Sequence, residues 1–265
     1  MNIVVCVKQV PDTSDPDTEV HIDSTGRGVE EGKFSFVIND ADNYAVEEAI
    51  RLKEKHGGQV TVVNIGAESA NQVIRMALAK GGDSAIRLYD EKFAYSDIVA
   101  TAKILHSAIK DLSYDIVMTG CMASDDGYAA VGVTLAQMLG IPHAAMVKSV
   151  EVIDDKKLKV GRELEGGLLE MNEIEMPCLL TIQTGINEPR YASFKGIREA
   201  SKKEIKLMDL SATGLAEDMV GEAGSLAVMT KYSVPEVGEL AEILEGDAQE
   251  TAAKLAQILK EKGLV

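Results

Sequence analysis

Five short runs of aliphatic and β-branched residues recur through the first two thirds of the chain. A strand with one solvent-exposed face alternates strictly between apolar and polar positions, and these runs do not. We therefore predict that each run is a strand covered on both faces. The runs are Ile3–Val7, Val60–Ile65, Ser84–Leu88, Asp115–Thr119 and Cys178–Ile182.

Between these runs, apolar residues recur every three or four positions, which is the spacing of a helix with one buried stripe. This spacing predicts helices at about 42–55, 69–80 and 96–110. Paired glycines, which commonly end helices, follow the first two at Gly57-Gly58 and Gly81-Gly82. The alternation predicts an α/β fold: a doubly wound, mostly parallel sheet of Rossmann type with helices on both faces.

Three stretches depart from this alternation. Residues 14–37, which include Pro16, are expected to form a loop or hairpin inserted after the first strand. Residues 144–176 alternate as antiparallel strands do around a charged turn. The tail is rich in glycine until a striped helix at 247–262. The pattern leaves open whether this helix is an arm that docks on another chain or a helix that closes its own domain.

Composition narrows the class of protein. A formal net charge of −16 argues against a nucleic-acid partner, because phosphate binding needs a basic face. No run approaches the roughly 18 apolar residues that a membrane-spanning helix needs, and the first residues lack the basic start of a signal peptide, so we expect a cytoplasmic protein without membrane insertion. Cys6, Cys121 and Cys178 form no C-x-x-C pair, so we expect reduced thiols and no metal site.

Three loops are predicted at the carboxyl ends of strands, where open parallel sheets bind ligands: 8–13, 66–71 and 120–127. The third leads directly into a helical pattern. We expect Asp125 or Asp126 either to cap that helix, which leaves later backbone N–H groups for a phosphate, or to accept from ribose hydroxyls. From the residues alone, a plain strand–turn–helix cap and a nucleotide site are equally open.

The fingerprints of common enzymes are missing. The chain has neither G-x-G-x-x-G after the first strand nor G-x-x-x-x-G-K-[ST], which argues against a conventional NAD dehydrogenase and a P-loop NTPase. Its four histidines are scattered without a neighbouring nucleophile, so a hydrolase is unsupported. We therefore assign no catalytic residue.

A basic segment interrupts this acidic chain. Residues 187–206 hold six Lys or Arg against three Glu, and Phe194 stands among small and charged residues where no apolar stripe accounts for it. Two interpretations follow. Either the segment docks a partner through Phe194, or Phe194 packs against its own chain and the lysines form a solvated face.

Longer stretches of the sequence suggest a family. They are "VCVKQVPDT" (5–13), "NDADNYAVEEAIRLKEK" (39–55), "NIGAESANQVIRMALAKGGDSAIRL" (64–88), "GCMASDDGYAAVGVTLAQMLGIPHA" (120–144), "RELEGGLLE" (162–170) and "LLTIQTGINEPRYASFKGIREASKK" (179–203). In this order and spacing the chain resembles the beta subunit of electron transfer flavoproteins along nearly its whole length, and the last stretch is close to the family signature.

The resemblance implies a non-catalytic electron carrier. Such a subunit pairs with an alpha subunit that holds FAD, and the pair passes electrons between flavin dehydrogenases and an acceptor. The beta subunit itself binds an adenine nucleotide: AMP in many members, or a second FAD in those that bifurcate electrons from NADH. "KQVPDT" is similar to bifurcating members, whereas "ASDDGYAAVG", "RELEGG" and "NEPRYAS" are more similar to AMP-holding ones, so we favour AMP.

The matching motifs imply that the nucleotide lies on the strand-end loops, with its phosphate on a helix that begins near Gly127. The implied contacts are Cys6 (through its backbone), Asn39, Asp40, Ala41, Asp42, Ile65, Gly66, Ala123, Ser124, Asp125, Asp126, Gly127, Tyr128, Ala129, Ala130, Val131, Gly132, Val133 and Thr134.

The resemblance also assigns the basic segment. Phe194 takes the position of a leucine that serves in the family as a hydrophobic anchor on the dehydrogenase. The implied partner contacts are Glu188, Pro189, Arg190, Tyr191, Phe194, Lys195 and Ile197. The expected domains are a nucleotide-binding domain at 1–206, with a recognition loop at 183–206, and an arm at 207–265 that docks on the alpha subunit. A remote alternative, a stand-alone adenine-nucleotide ligase, needs an S-G-G-x-D-S-like loop that "KQVPDT" does not supply.

Overall fold

A computed structural model describes residues 1–15, 18–235, 238 and 241–265. Pro16 of the inserted stretch lies outside the described residues. The chain divides into two compact units, Met1–Lys231 and Tyr232–Val265. The first contains the sheet and most of the helices, and the second contains the last helix.

In the described part of the first unit, nine strands form one sheet and two short strands form a separate antiparallel pair. The strands in chain order are β1 (Asn2–Cys6), β2 (Gln9–Pro11), β3 (Phe36–Ile38), β4 (Gln59–Ile65), β5 (Ser84–Leu88), β6 (Ile116–Gly120), β7 (His143–Val152), β8 (Lys157–Glu163), β9 (Leu169–Glu175), β10 (Cys178–Ile182) and β11 (Ile205–Met208). β2 and β3 form the small pair, and the large sheet has the order β11-β5-β4-β1-β6-β10-β7-β8-β9.

All five predicted strands are present and parallel to their neighbours. β1 lies between β4 and β6, so that Val5 stands opposite Val62 on one side and Met118 on the other. The chain runs outward from β1 to β4 and β5, and then returns to the other side of β1 as β6. The strand order therefore reverses between β1 and β6, which marks the expected ligand site of such a sheet.

Helices cover both faces, as predicted. The α-helices described in the first unit are α1 (Asp40–His56), α2 (Asn71–Lys80), α3 (Ile98–Ile109), α4 (Val131–Leu139), α5 (Phe194–Ala200) and α6 (Leu210–Thr213). The second unit holds α7 (Ala248–Glu261). Val46 of α1 and Ile74 of α2 join the apolar core on one face of the sheet, whereas Leu105 of α3 and Leu135 of α4 join the core on the other. Successive strand residues alternate between these two cores, which is why the strands read as continuous apolar runs.

The predicted glycine stops are confirmed. Gly57 follows α1 with φ 72°, and Gly81 follows α2 with φ 141°. Both conformations favour glycine, because a side chain would strain the backbone there.

β7, β8 and β9 extend the sheet by antiparallel pairing, as the alternation at 144–176 predicts. The charged turn between the first two is held by Asp154, whose Oδ1 accepts from the backbone N–H groups of Lys156 (2.7 Å) and Lys157 (2.9 Å). This is the local hydrogen bonding through which Asp favours turns.

The stretch expected to be a recognition loop contains regular structure. α5 begins at Phe194, and Ser193 caps it by accepting from the N–H of Gly196 at 3.0 Å. Residues 183–206 are therefore not a loop throughout. The boundary expected after 206 falls within β11, and the first compact unit continues to Lys231.

The second unit holds the predicted terminal helix. α7 spans Ala248–Glu261, within a residue of the predicted bounds, and Asp247 caps it through the N–H groups of Gln249 and Glu250. Every residue of α7 is at least partly exposed. A search of the described residues finds no helix with the length and apolarity to cross a membrane.

Candidate functional site

A cavity of about 370 Å³ opens at the carboxyl ends of β1 and β6. Cys6, Val7 and Lys8 line it from the end of β1, and Thr119 with Gly120 line it from the end of β6. Ligand pockets commonly measure roughly 300–1,000 Å³. The reversal of strand order therefore coincides with a cavity that suits a small organic molecule.

Asp42, in the first turn of α1, joins the two strand ends. Its carboxylate is 7% exposed and accepts from the backbone N–H groups of Lys8 and Gly120, each at 2.7 Å. Burial raises the pKa of Asp42 to about 6, although these hydrogen bonds and the Lys8 charge oppose the rise. A Cβ at position 120 would clash with the Asp42 carboxylate. This carboxylate therefore sets the spacing of the strand ends that form the cavity.

Asn39 attaches a third segment to the same place. Its Nδ2 donates to the carbonyl of Met122 (2.9 Å), and its Oδ1 accepts from the N–H of Ser124 (3.0 Å). Its own backbone N–H donates to the carbonyl of Lys8 (2.9 Å). Because Asn39 is buried and makes contacts to two loops, the rim of the cavity is fixed by the chain itself.

Lys8 bridges the rim from the other side. Its Nζ lies 2.7 Å from Asp125 Oδ1 and 2.8 Å from Asp126 Oδ2. Burial lowers the pKa of Lys8, but the two carboxylates outweigh burial and raise it above its ordinary value. The prediction that Asp125 or Asp126 caps the next helix is wrong, because both carboxylates are engaged by Lys8 and α4 begins only at Val131, with Ala130 as its N-cap.

No side chain of the described residues caps the start of α4. Ala129 precedes it with φ 53°, and Ala130 makes no side-chain hydrogen bond to the first turn. The first N–H groups of a helix have no acceptor within the helix, and residues 128–132 line the cavity. Gly132 brings α4 close to the sheet, since a Cβ there would lie 2.5 Å from Thr119 Oγ1. Such a helix start is suited to an anion such as phosphate.

The segment after β5 supplies the remaining wall, which sequence reasoning missed. Its lining residues are Phe93, Tyr95, Ser96, Asp97, Ile98, Thr101 and Leu105. The rule that places the other three loops applies here too, because residues 89–97 follow the strand Ser84–Leu88 and reach the same edge of the sheet. Arg27 of the inserted stretch lies over the Tyr95 ring, 4.0 Å from its centroid. The wall is partly aromatic and apolar, as a planar base requires.

The structure brings together many, though not all, of the implied nucleotide contacts. Those that line the cavity are Cys6, Asn39, Asp42, Ile65, Ala123, Asp126, Tyr128, Ala129, Ala130, Val131 and Gly132. Those that do not line it are Asp40, Ala41, Gly66, Ser124, Asp125, Gly127, Val133 and Thr134. Ser124 and Asp125 still act on the rim, through Asn39 and Lys8.

The three cysteines are free and buried. Burial raises the pKa of each thiol, to about 12 for Cys178. The thiols are therefore protonated at neutral pH, and Cys6 and Cys121 line the cavity as small apolar groups. Among the described residues there is no cluster of side chains that could hold a metal ion.

A second feature lies in residues 187–200, here called the docking segment because the predicted partner contacts lie in it. Tyr191 is 98% exposed and Phe194 is 94% exposed. The interpretation in which Phe194 packs against its own chain is therefore wrong. Glu188, Lys195 and Ile197 are also exposed.

Pro189 and Arg190 are partly buried, and Arg190 turns inward to form ion pairs with two glutamates of α1. The predicted partner contacts are therefore divided. The aromatic side chains face solvent, whereas the arginine faces the body of the protein.

Comparison with known proteins gives a consistent family. A family model described as "Electron transfer flavoprotein domain" matches residues 29–213. Electron transfer flavoprotein subunit beta of Methylophilus methylotrophus is 38% identical over 264 residues, which is 98% of each chain. The protein of the same name from Thermoanaerobacterium thermosaccharolyticum is 40% identical over the whole of both chains. Caffeyl-CoA reductase-Etf complex subunit CarD of Acetobacterium woodii is 36% identical, again over the whole of both.

Proposed function

The chain belongs to the electron transfer flavoprotein family as a beta subunit, and from this we propose that it holds AMP in the cavity between β1 and β6 while it docks an alpha subunit and a flavin dehydrogenase. Members of this family are electron carriers rather than classical enzymes. Family membership therefore argues against the stand-alone ligase.

The observation that carries the nucleotide proposal is the position of the cavity at the reversal of strand order, beside the uncapped start of α4. We propose that the phosphate accepts from the first N–H groups of α4, where Gly132 allows the helix to approach the sheet. The base would lie against the apolar wall of residues 93–105. Bound AMP supplies no redox chemistry, so its proposed role is to complete the fold between the two strand ends.

The volume of the cavity favours AMP over FAD. FAD consists of an AMP half joined through a pyrophosphate to a flavin mononucleotide half, so it has more than twice the atoms of AMP. A cavity of about 370 Å³ lies near the lower limit for small-molecule sites, roughly 300 Å³. The donor set also suits one phosphate at one helix start.

The second candidate is a bifurcating subunit with a second FAD, which would oxidise NADH. Two observations favour it: the "KQVPDT" loop, and the likeness to a protein named as a subunit of a caffeyl-CoA reductase–Etf complex. In this case the flavin half would extend beyond the cavity past Tyr95 and Tyr128, which are exposed at its edge.

We propose that partners dock on two other surfaces. The second unit, residues 232–265 of the predicted arm at 207–265, would bind the alpha subunit, which carries the electron-transferring FAD. The docking segment would bind the dehydrogenase through Phe194, whose exposed ring stabilises a complex by about 2 kcal/mol when buried. Basic side chains around it, such as Lys195, would mainly raise the encounter rate.

The test is to express the chain with its alpha subunit, release the ligands from the purified heterodimer with acid, and identify them by mass spectrometry. We expect one FAD and one AMP per heterodimer. Two FAD and no AMP would establish the bifurcating alternative instead. A heterodimer that contains FAD but no second adenine nucleotide would overturn the proposed site.

A further inference from the structure

We propose that Arg190 is a positioning residue for partner docking: it clamps the docking segment onto α1, so that Tyr191 and Phe194 are presented in one fixed arrangement. This inference rests on the proposed docking function of the segment. It gives Arg190 a role within the chain in place of the partner contact implied by sequence resemblance.

The guanidinium of Arg190 is bound on both sides by carboxylates of α1. Its Nε and Nη2 donate to the two oxygens of Glu47 at 2.9 and 3.1 Å. Its Nη1 and Nη2 donate to the two oxygens of Glu54 at 2.6 and 2.9 Å. Such forked pairs fix the orientation of the group as well as its position. With these donors engaged, the guanidinium has little left to offer a partner.

Glu47 is the buried end of this clamp. It is 1% exposed, and it also accepts from the backbone N–H of Arg190 at 3.1 Å and from Arg51 Nε at 2.7 Å. Burial raises the pKa of Glu47, but the hydrogen bonds from Arg190 and Arg51 outweigh burial and hold it below its ordinary value. A buried carboxylate that is charged needs its cationic partner. Glu47 therefore draws the main chain at Arg190, and not only its side chain, onto the helix.

Neighbouring contacts follow the same stripe of α1. Arg51 Nη2 donates to the carbonyl of Glu188 at 3.1 Å. Asn187 Nδ2 donates to Glu48 Oε2 at 2.9 Å and to the carbonyl of Tyr44 at 3.2 Å. The helix residues used lie three or four positions apart and so share one side of α1. Asn187, Glu188 and Arg190 are thus each held against the same helix.

On the other side of Phe194 the chain is held by α2. Gly196 lies so close to the carbonyl of Ala79 that a Cβ would clash with it. Arg75 donates to the carbonyls of Ala200 and Lys203. The backbone is therefore fixed both before and after the two exposed rings.

This arrangement has an energetic consequence for docking. Fixing the backbone of a residue costs conformational entropy, and a segment that is already ordered does not incur this cost when the partner binds. Loosening two or three residues around Phe194 should therefore weaken docking by about tenfold or more. Phe194 would still be present, but it would no longer be positioned.

The test uses the full heterodimer with Arg190→Lys, which keeps the charge but cannot form the fork. The first readout is hydrogen exchange of the backbone amides of residues 187–194. The second readout is the KM of an acyl-CoA dehydrogenase for the heterodimer, which serves as its electron acceptor. The dehydrogenase used is the one that reduces the wild-type protein fastest. We expect about tenfold faster exchange and about tenfold higher KM, with kcat and the flavin spectrum unchanged.

Phe194→Ala and the double variant separate this inference from the docking proposal. If Arg190 acts through Phe194, Phe194→Ala raises KM, and adding Arg190→Lys to it raises KM little further. If Phe194→Ala leaves KM unchanged, the docking function fails. If Phe194→Ala raises KM but Arg190→Lys does not, docking stands and the positioning role of Arg190 is overturned.

Two further variants complete the design. Glu54→Gln weakens the clamp at its exposed end without unpairing the buried Glu47, so it tests the inference even if Arg190→Lys folds poorly. We expect it to speed exchange of residues 187–194 in the same direction. Arg162→Lys makes the matched change in a surface pair, Arg162–Glu170 at 3.1 Å, and should leave that exchange as it is in the wild type. Equal exchange in Glu54→Gln and wild type would contradict the clamp.

Discussion

Two carboxylates of the same helix, Asp42 and Glu47, have opposite electrostatic surroundings. Both are buried. Glu47 is paired with two guanidinium groups, and its pKa is lowered, whereas Asp42 accepts mainly from backbone N–H groups and its pKa is raised to about 6. The side chains are chemically alike, so the difference comes from their surroundings: at Asp42 burial outweighs the hydrogen bonds it accepts, whereas at Glu47 the guanidinium groups outweigh burial. Glu47 holds the docking segment on α1, and Asp42 sets the spacing of the strand ends that form the cavity.

The raised pKa of Asp42 predicts a pH-dependent stability. Its folded-state pKa of about 6 exceeds its ordinary value of 3.8, so the folded protein holds this proton more tightly than the unfolded chain does. The stabilisation is present at low pH and is lost as pH rises through about 6. Between pH 5 and 7 the wild type should lose about 1 kcal/mol of unfolding free energy relative to Asp42→Asn.

Urea unfolding of both proteins at pH 5, 6 and 7 measures this difference, and other carboxylates cancel in the comparison. The free energy of unfolding of the wild type minus that of Asp42→Asn should fall with rising pH. It should level off above about pH 6, where Asp42 is ionised. A difference that is constant across the series would show that Asp42 titrates like an ordinary carboxylate.

At the scale of elements, α4 is positioned by contact with the sheet rather than by a capping side chain. Ala130 provides no cap, and Gly132 lies against Thr119 and Thr181. The lack of a side-chain cap leaves the first N–H groups of the helix free for a ligand. Without a cap the first turn of α4 is less stable, but its free N–H groups can bind an anion.

We expect Gly132→Ala to move α4 away from the sheet. The added Cβ would meet Thr119 Oγ1 at 2.5 Å and Thr181 Cγ2 at 2.7 Å, and overpacking of this kind costs about 1–3 kcal/mol. The variant should unfold at lower urea concentration and retain less AMP after gel filtration of the heterodimer. Gly32→Ala is the control, since a Cβ there has no neighbour within 4 Å. Equal nucleotide retention in Gly132→Ala and wild type would contradict a phosphate site at this helix start.

At the scale of the whole molecule, the chain is a large unit, Met1–Lys231, and a small unit, Tyr232–Val265, with an amphipathic helix. Leu255, on the apolar side of α7, is 49% exposed. Within this small unit no residue of α7 is buried, and we keep the prediction that the unit is an arm for another chain.

We therefore expect the chain purified alone to contain no tightly held redox flavin. Co-expression with its alpha subunit should give a yellow heterodimer, and removal of residues 232–265 should reduce the amount of alpha subunit that copurifies. Flavin absorbance and gel filtration measure both effects. A stable yellow monomer with its own turnover would contradict the role of electron-carrying subunit.

The sequence by itself determined the five neighbouring parallel strands β5, β4, β1, β6 and β10 and the helices α1 to α3 between them, but not the edge strand β11. Runs such as Val60–Ile65 and stripes such as that at 96–110 depend on local spacing. This spacing predicts a strand or a helix because the buried positions recur with the repeat of its backbone. The resemblance to a family added the prediction of nucleotide contacts on the loops and of a docking role for Phe194. The helix α5 was missed, because seven residues with one partly exposed stripe give a weak pattern and its cap, Ser193, is a single residue.

Only the tertiary structure decided which side chains meet. Lys8 pairs with Asp125 and Asp126 more than a hundred residues away, and Arg190 pairs with Glu47. Neither pairing has a local signature, so Asp125 and Asp126 read as helix caps and Arg190 as a partner contact. The wall at 93–105 became part of the cavity because parallel strands bring their carboxyl ends to one edge. Sequence spacing reports the period of burial along one element, whereas charge pairing and cavity shape depend on the distances between elements that folding sets.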